Sequence, residues 1–72
     1  MLTDQEKAIL DLEERMPVHS SHKGDVIRAE VGLSVARYYQ ALHVLVDHEI
    51  EARREYPEVV TRLERARRRR VA

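Results

Sequence analysis

One glycine between two apolar-periodic segments does most to constrain this chain. The order runs from Asp25 to Val31, then Gly32, Leu33 and Ser34, then Val35 to Leu42. Val26, Ile27 and Val31 recur at helical spacing before the glycine, and Tyr38, Ala41, Leu42, Leu45 and Val46 recur after it. Gly32 supplies the left-handed residue that stops one helix and turns the chain sharply. Leu33 reads as a buried plug that anchors the turn. Ser34 caps a new helix at Val35 by accepting a hydrogen bond from its free amides. Two helices joined this way cross in the helix-turn-helix manner, and the second is free to enter a major groove.

The rest of the chain is also helical. Thr3, Asp4, Gln5 and Glu6 form a capping box, and Ile9, Leu12, Glu13 and Met16 follow helical spacing with Leu10 beside them. Pro17 ends that run, so helix one covers Asp4 to Arg15. Ser20 or Ser21 caps a second helix over His22 to Val31, weakened in its first turn by Gly24, with Ala29 small enough for close packing. The third helix runs from Val35 to Asp47. A break or a short separate helix is expected over Glu49 to Glu55. Pro57 then opens a final helix with an apolar edge of Val59, Val60 and Leu63, where its missing amide hydrogen costs nothing. No strand-like alternation appears. The reading is all-α, a small helix-turn-helix bundle of three or four helices with no sheet. The domain is expected at residues 1–66, with residues 67–72 as a basic, frayed tail.

Size and composition exclude much else. A fold of 72 residues hides only about 60% of its unfolded surface, so a large catalytic cleft is not expected. Without cysteine there is no disulfide framework or Cys-ligated zinc, which fits a reducing cytoplasm. No apolar run nears the roughly 20 residues that cross a bilayer, and the opening Met1-Leu2-Thr3-Asp4 is unlike a signal peptide. Phe and Trp are absent, so the core must be aliphatic with help from Tyr. His19 with His22, and His43 with Asp47, lack the third and fourth ligands zinc needs. Glu13 and Glu14 read as an exposed helix edge. No nucleophile-base constellation or phosphate loop is present, so neither an enzyme nor a cofactor is expected.

Net charge is zero, yet unevenly spread. Residues 1–36 carry four bases against seven acids, and residues 37–72 carry nine arginines against six acids. Arginine suits bidentate recognition of phosphate, and the run Arg67, Arg68, Arg69, Arg70 reads as a basic arm for nucleic acid. On the third helix, Arg37 matches the O6/N7 edge of guanine and Gln40 the N6/N7 edge of adenine, three residues apart on one face. Ala36 is placed to touch a thymine methyl. Ser34, Tyr39 and His43, with the four arginines, are the candidate contacts to the DNA backbone.

From Gln5 to Arg67 the chain resembles an uncharacterised family of short helix-turn-helix proteins from actinobacteria and their phages. The resemblance lies in Ala8-Ile9-Leu10-Asp11-Leu12-Glu13, in Ile27-Arg28 before Gly32, and in Pro57-Glu58-Val59-Val60 with Arg62-Leu63. Its most specific part is Ser34-Val35-Ala36-Arg37-Tyr38-Tyr39-Gln40 followed by Leu42. The chain departs from the pattern at Ala36, where the family often has Thr, and at Pro17 and Val18, where it has aromatic residues. The resemblance implies DNA binding by fold type and names no operator. The expected activity is therefore sequence-specific binding of double-stranded DNA, as in transcription regulation. A homodimer on paired half-sites would add contacts. The alternative is a small helical module that grips a host protein, such as part of the transcription machinery. The tail lacks bulky apolar residues, so no membrane partner is expected.

Overall fold

The structure, a computed structural model, describes the backbone of residues 1–71 and the side chains of residues 1–68. Thr3 opens α1 (Asp4–Arg15) with a complete capping box. Its hydroxyl accepts the Glu6 amide at 3.1 Å, while the Glu6 carboxylate accepts the Thr3 amide at 2.8 Å. Met16 leaves helical geometry (φ −128°, ψ 76°) just before Pro17, where proline disfavours the helical region.

Ser20, rather than Ser21, caps α2 (Ser21–Val26), accepting the Lys23 amide at 3.1 Å. The chain then widens into a π-helical turn, Ile27–Val31, which closes with the Gly32 amide donating to the Ile27 carbonyl at 3.1 Å. The wide turn keeps Ile27 and Val31 buried and leaves the three residues between them outside. Ala29, expected in close packing, is therefore exposed.

The third helix, α3 (Val35–His48), ends at Glu49, whose backbone is extended (φ −104°, ψ 108°). The Glu49 carboxylate accepts the Glu51 amide at 3.3 Å and starts the short α4 (Ile50–Glu55). Tyr56 breaks helical geometry before Pro57, the first residue of α5 (Pro57–Val71). Among the described residues there are thus five helices and a π turn instead of three or four, because the chain breaks at both Glu49 and Tyr56. The protein is all-α, with no strand among the described residues. Helix α5 runs without interruption across residue 66, so the backbone shows no boundary there. No helix among the described residues is long and apolar enough to cross a membrane.

One core joins the helices. Ile9, Leu10 and Leu12 of α1 meet Ile27 and Val31, the inner face of α3 (Tyr38, Leu42, Leu45, Val46), Ala52 of α4, and Val59 and Val60 of α5. Leu33 packs against this core but is only half-buried, so it is less of a plug than its position suggests.

The sequence reading fails at Glu13, which is buried while Glu14 stays exposed. Its carboxylate accepts hydrogen bonds from the Lys23 ammonium at 2.7 Å and the Tyr38 hydroxyl at 2.8 Å. The Arg62 guanidinium donates to the same carboxylate at 3.3 Å and to the Glu13 carbonyl at 3.0 Å. Lys23 is 0% exposed, and its Nζ lies 5.7 Å from the Tyr38 ring centre and 5.3 Å from that of Tyr39. One carboxylate thereby links α1, α2, α3 and α5. Burial, and then the Glu13 hydrogen bond, push the Tyr38 hydroxyl well above the ordinary tyrosine value.

Candidate nucleic-acid interface

The junction between α2 and α3 sets the geometry of the candidate site. Gly32 adopts the left-handed conformation (φ 79°, ψ 20°), the one positive φ among the described residues. That conformation disfavours any residue with a Cβ. Ser34 is extended (φ −68°, ψ 159°), and its hydroxyl accepts the Arg37 amide at 3.2 Å. The cap fixes the start of α3 and leaves the Ser34 side chain exposed.

Burial of Tyr38, Leu42, Leu45 and Val46 fixes the rotation of α3 about its axis, and helical periodicity dictates what remains outside. Ala36, Arg37, Gln40 and Val44 are all exposed. Neither the Arg37 guanidinium nor the Gln40 carboxamide has a hydrogen-bond or ion-pair partner among the described residues. Both side chains line a groove of about 440 Å³ between α3 and the first turns of α1, with Leu33 and Val44 on the same wall. Glu6, on the opposite wall, has its carboxylate turned back to the Thr3 amide.

The residues read as backbone contacts do not all join this face. The Tyr39 hydroxyl lies 2.8 Å from His19 Nδ1, and its ring stands edge-on to Tyr38 with centres 4.9 Å apart. His43 Nδ1 lies 2.6 Å from the Arg67 guanidinium, which also pairs with Asp47. The Arg67 hydrogen bond holds the Asp47 carboxyl below the usual carboxylate range. Tyr39, His43, Arg67 and His19 line a second recess of about 450 Å³, closed on its apolar side by Pro17 and Leu63. Arg68 is exposed, whereas the side chains of Arg69 and Arg70 lie outside the described residues. Arg67 thus acts first on Asp47. Asp47 is seven residues from Gln40, two helical turns away on the same side of α3.

Sequence reasoning missed the ionic hub at Glu13. A signal existed, because Glu13 sits within the apolar stripe of α1 between Leu10 and Met16. An acid in that stripe needs cations, but nothing local marks Lys23 and Arg62 as the ones that supply them. Among the described residues, no three His, Asp or Glu side chains gather where one metal ion could be held.

The chain belongs to the family described as "Protein of unknown function (DUF3263)", whose model matches residues 1–72. No curated protein and no solved structure matches the chain.

Proposed function

We propose that this protein binds double-stranded DNA sequence-specifically, as a transcription regulator does, with α3 as the recognition helix of a helix-turn-helix. The observation that carries the reading is the pair Arg37 and Gln40. Both are exposed and unpaired, they share one face of α3, and they follow directly on a glycine turn and a serine cap. Arginine matched to guanine and glutamine matched to adenine are the side chains that major-groove readout requires. The capped start of α3 adds amides and a dipole end that favour a nearby phosphate.

A random-sequence duplex selection at about 0.15 M salt tests this reading. The expected result is an enriched site whose affinity falls with salt, with a log–log slope of about −0.9 per phosphate neutralised. Arg37→Ala should cost about 1–3 kcal/mol and relax the preference at one base pair, while Arg68→Ala should weaken all sequences alike. No enriched site, or an Arg37 variant with unchanged selectivity, refutes the assignment. One observation favours a partner protein instead. The groove beside α3 also has apolar walls, at Leu33 and Val44, which suit a helix from another protein. That reading requires a stable complex in pull-down and no sequence preference on DNA.

A further inference from the structure

We infer that Val44 is a third specificity-determining residue of the α3 face, reading the 5-methyl group of a thymine. The inference rests on the DNA-binding reading and goes beyond it by naming the residue and the chemical group. Val44 is 54% exposed, whereas Leu42, Leu45 and Val46 around it are buried. Val44 belongs neither to the hydrophobic core nor to the partly buried apolar residues packed against it. Its placement is that of a reader. Val44 stands four residues after Gln40 and seven after Arg37, so the three follow the i, i+3, i+7 spacing by which a helix lying in the groove presents one face. All three line the same groove.

The distances fit a duplex. At 1.5 Å of rise per residue, Gln40 and Val44 are about 6 Å apart along the helix, and Arg37 and Val44 about 10 Å. Those spacings match roughly two and three base-pair steps of 3.4 Å. A purely apolar side chain has one specific partner on the major-groove edges, the thymine methyl, because every other feature there is a donor or an acceptor. Valine presents two methyls to it and no polar atom. Ala36 was assigned that contact from the sequence, but it has a single methyl to offer.

The test uses the duplex enriched by selection, with each thymine replaced in turn by deoxyuridine, which removes the methyl and leaves the hydrogen-bonding pattern intact. Affinity is measured for the parent, Val44→Ala, Ala36→Gly and Arg37→Ala. The parent should lose about fourfold at one thymine, the equivalent of one buried methyl group. Val44→Ala should lose the same factor on the natural duplex and be indifferent to deoxyuridine at that position, while Arg37→Ala should keep the discrimination. Because Val44 is more than half exposed, the variant leaves no core cavity, and an unchanged circular dichroism spectrum checks this.

A selected duplex indifferent to every deoxyuridine overturns the inference and leaves the DNA reading standing. So does a Val44→Ala protein that still discriminates, and discrimination lost in Ala36→Gly reassigns the contact to Ala36. A parent that dimerises through this face, seen as a Val44→Ala monomer with unchanged discrimination, also overturns it. Failure to enrich any duplex removes the inference together with the DNA reading.

Discussion

Replacing Glu13 with leucine should cost far more than replacing an ordinary polar residue, because it strands a buried ammonium. The Glu13 carboxylate and the Lys23 ammonium lie 2.7 Å apart with essentially no solvent access. At an effective dielectric constant near 20, unit charges at that distance attract by about 6 kcal/mol. Removing two such ions from water costs several kcal/mol each, so the pair as a whole is close to neutral. Deleting one member leaves the desolvation of the other without its offset. Breaking a buried pair this way typically costs about 3–5 kcal/mol.

The assay is urea unfolding followed by circular dichroism at pH 7, for Glu13→Leu, Lys23→Met and the double variant. Glu13→Leu should be less stable by about 3–5 kcal/mol. A chain of this length holds roughly 4–11 kcal/mol in total, so the variant sits near its folding limit. The double variant keeps the test decisive. Replacing both ions with apolar groups of similar size is often neutral, so it should recover much of the loss. Tyr38→Phe, which deletes the 2.8 Å hydrogen bond to the same carboxylate, should cost about 1.5–3 kcal/mol. A Glu13→Leu protein as stable as the parent refutes the reasoning, as does a double variant no better than the single one.

The two glycines should respond in opposite directions to alanine. Gly32→Ala should destabilise by about 1–2 kcal/mol, because φ is +79° and the penalty is conformational. Gly24→Ala should stabilise by about 0.5–1 kcal/mol, since a Cβ there meets Val35 Cγ2 at 3.5 Å, an ordinary contact within a helix. Thermal or urea unfolding reads both, and equal effects would contradict the assignment. Stability should also fall on acidification below about pH 4. Hydrogen bonds from Arg67 and Arg53 hold Asp47 and Glu64 below the usual carboxylate range, so their contribution is present above the unfolded values and lost as pH drops through the folded ones. Asp47→Asn with Glu64→Gln should flatten the acid limb of a melting-temperature curve, and an unaltered limb would rule those pairs out as its cause.

What could be read from the sequence was chemistry that acts within four residues. The Thr3–Glu6 box, the Ser34 cap, the Gly32 turn and the breaks before Pro17 and Pro57 are all local, and the residues that make them name themselves. The exposure of Arg37 and Gln40 followed from the same logic, because Tyr38, Leu42 and Leu45 determine which side of α3 faces inward. What escaped depends on partners far along the chain. Glu13 is ten residues from Lys23, 25 from Tyr38 and 49 from Arg62, and no local rule selects those three from the other polar residues. Arg67 reaches Asp47 and His43 across 20 and 24 residues, so a charge run that looked like a free arm includes a member already engaged. The π turn escaped for a different reason. Its apolar residues, Ile27 and Val31, are four apart, a spacing an α-helix explains equally well.

These pairings constrain the proposal that a chain of zero net charge binds a polyanion. Arg15, Lys23, Arg28, Arg53, Arg62 and Arg67 are each matched to a carboxylate. The described cations without an ion pair are Lys7, Arg37, Arg54, Arg65 and Arg68. If Arg37 reads a base, the cations without an ion pair among the described residues that could neutralise phosphates are Lys7, Arg54, Arg65 and Arg68, so the described residues alone supply a modest salt-dependent and sequence-independent part of the affinity. Selectivity would then depend on the α3 face to an unusual degree. If the DNA-binding proposal holds, Arg67 also protects that face indirectly, since an unneutralised Asp47 near Val44 would repel the phosphates flanking the groove. On this reading Arg67→Ala weakens binding twice over, by removing a cation and by uncovering an acid. Asp47→Asn should restore part of what Arg67→Ala loses, a rescue that a plain phosphate contact does not predict.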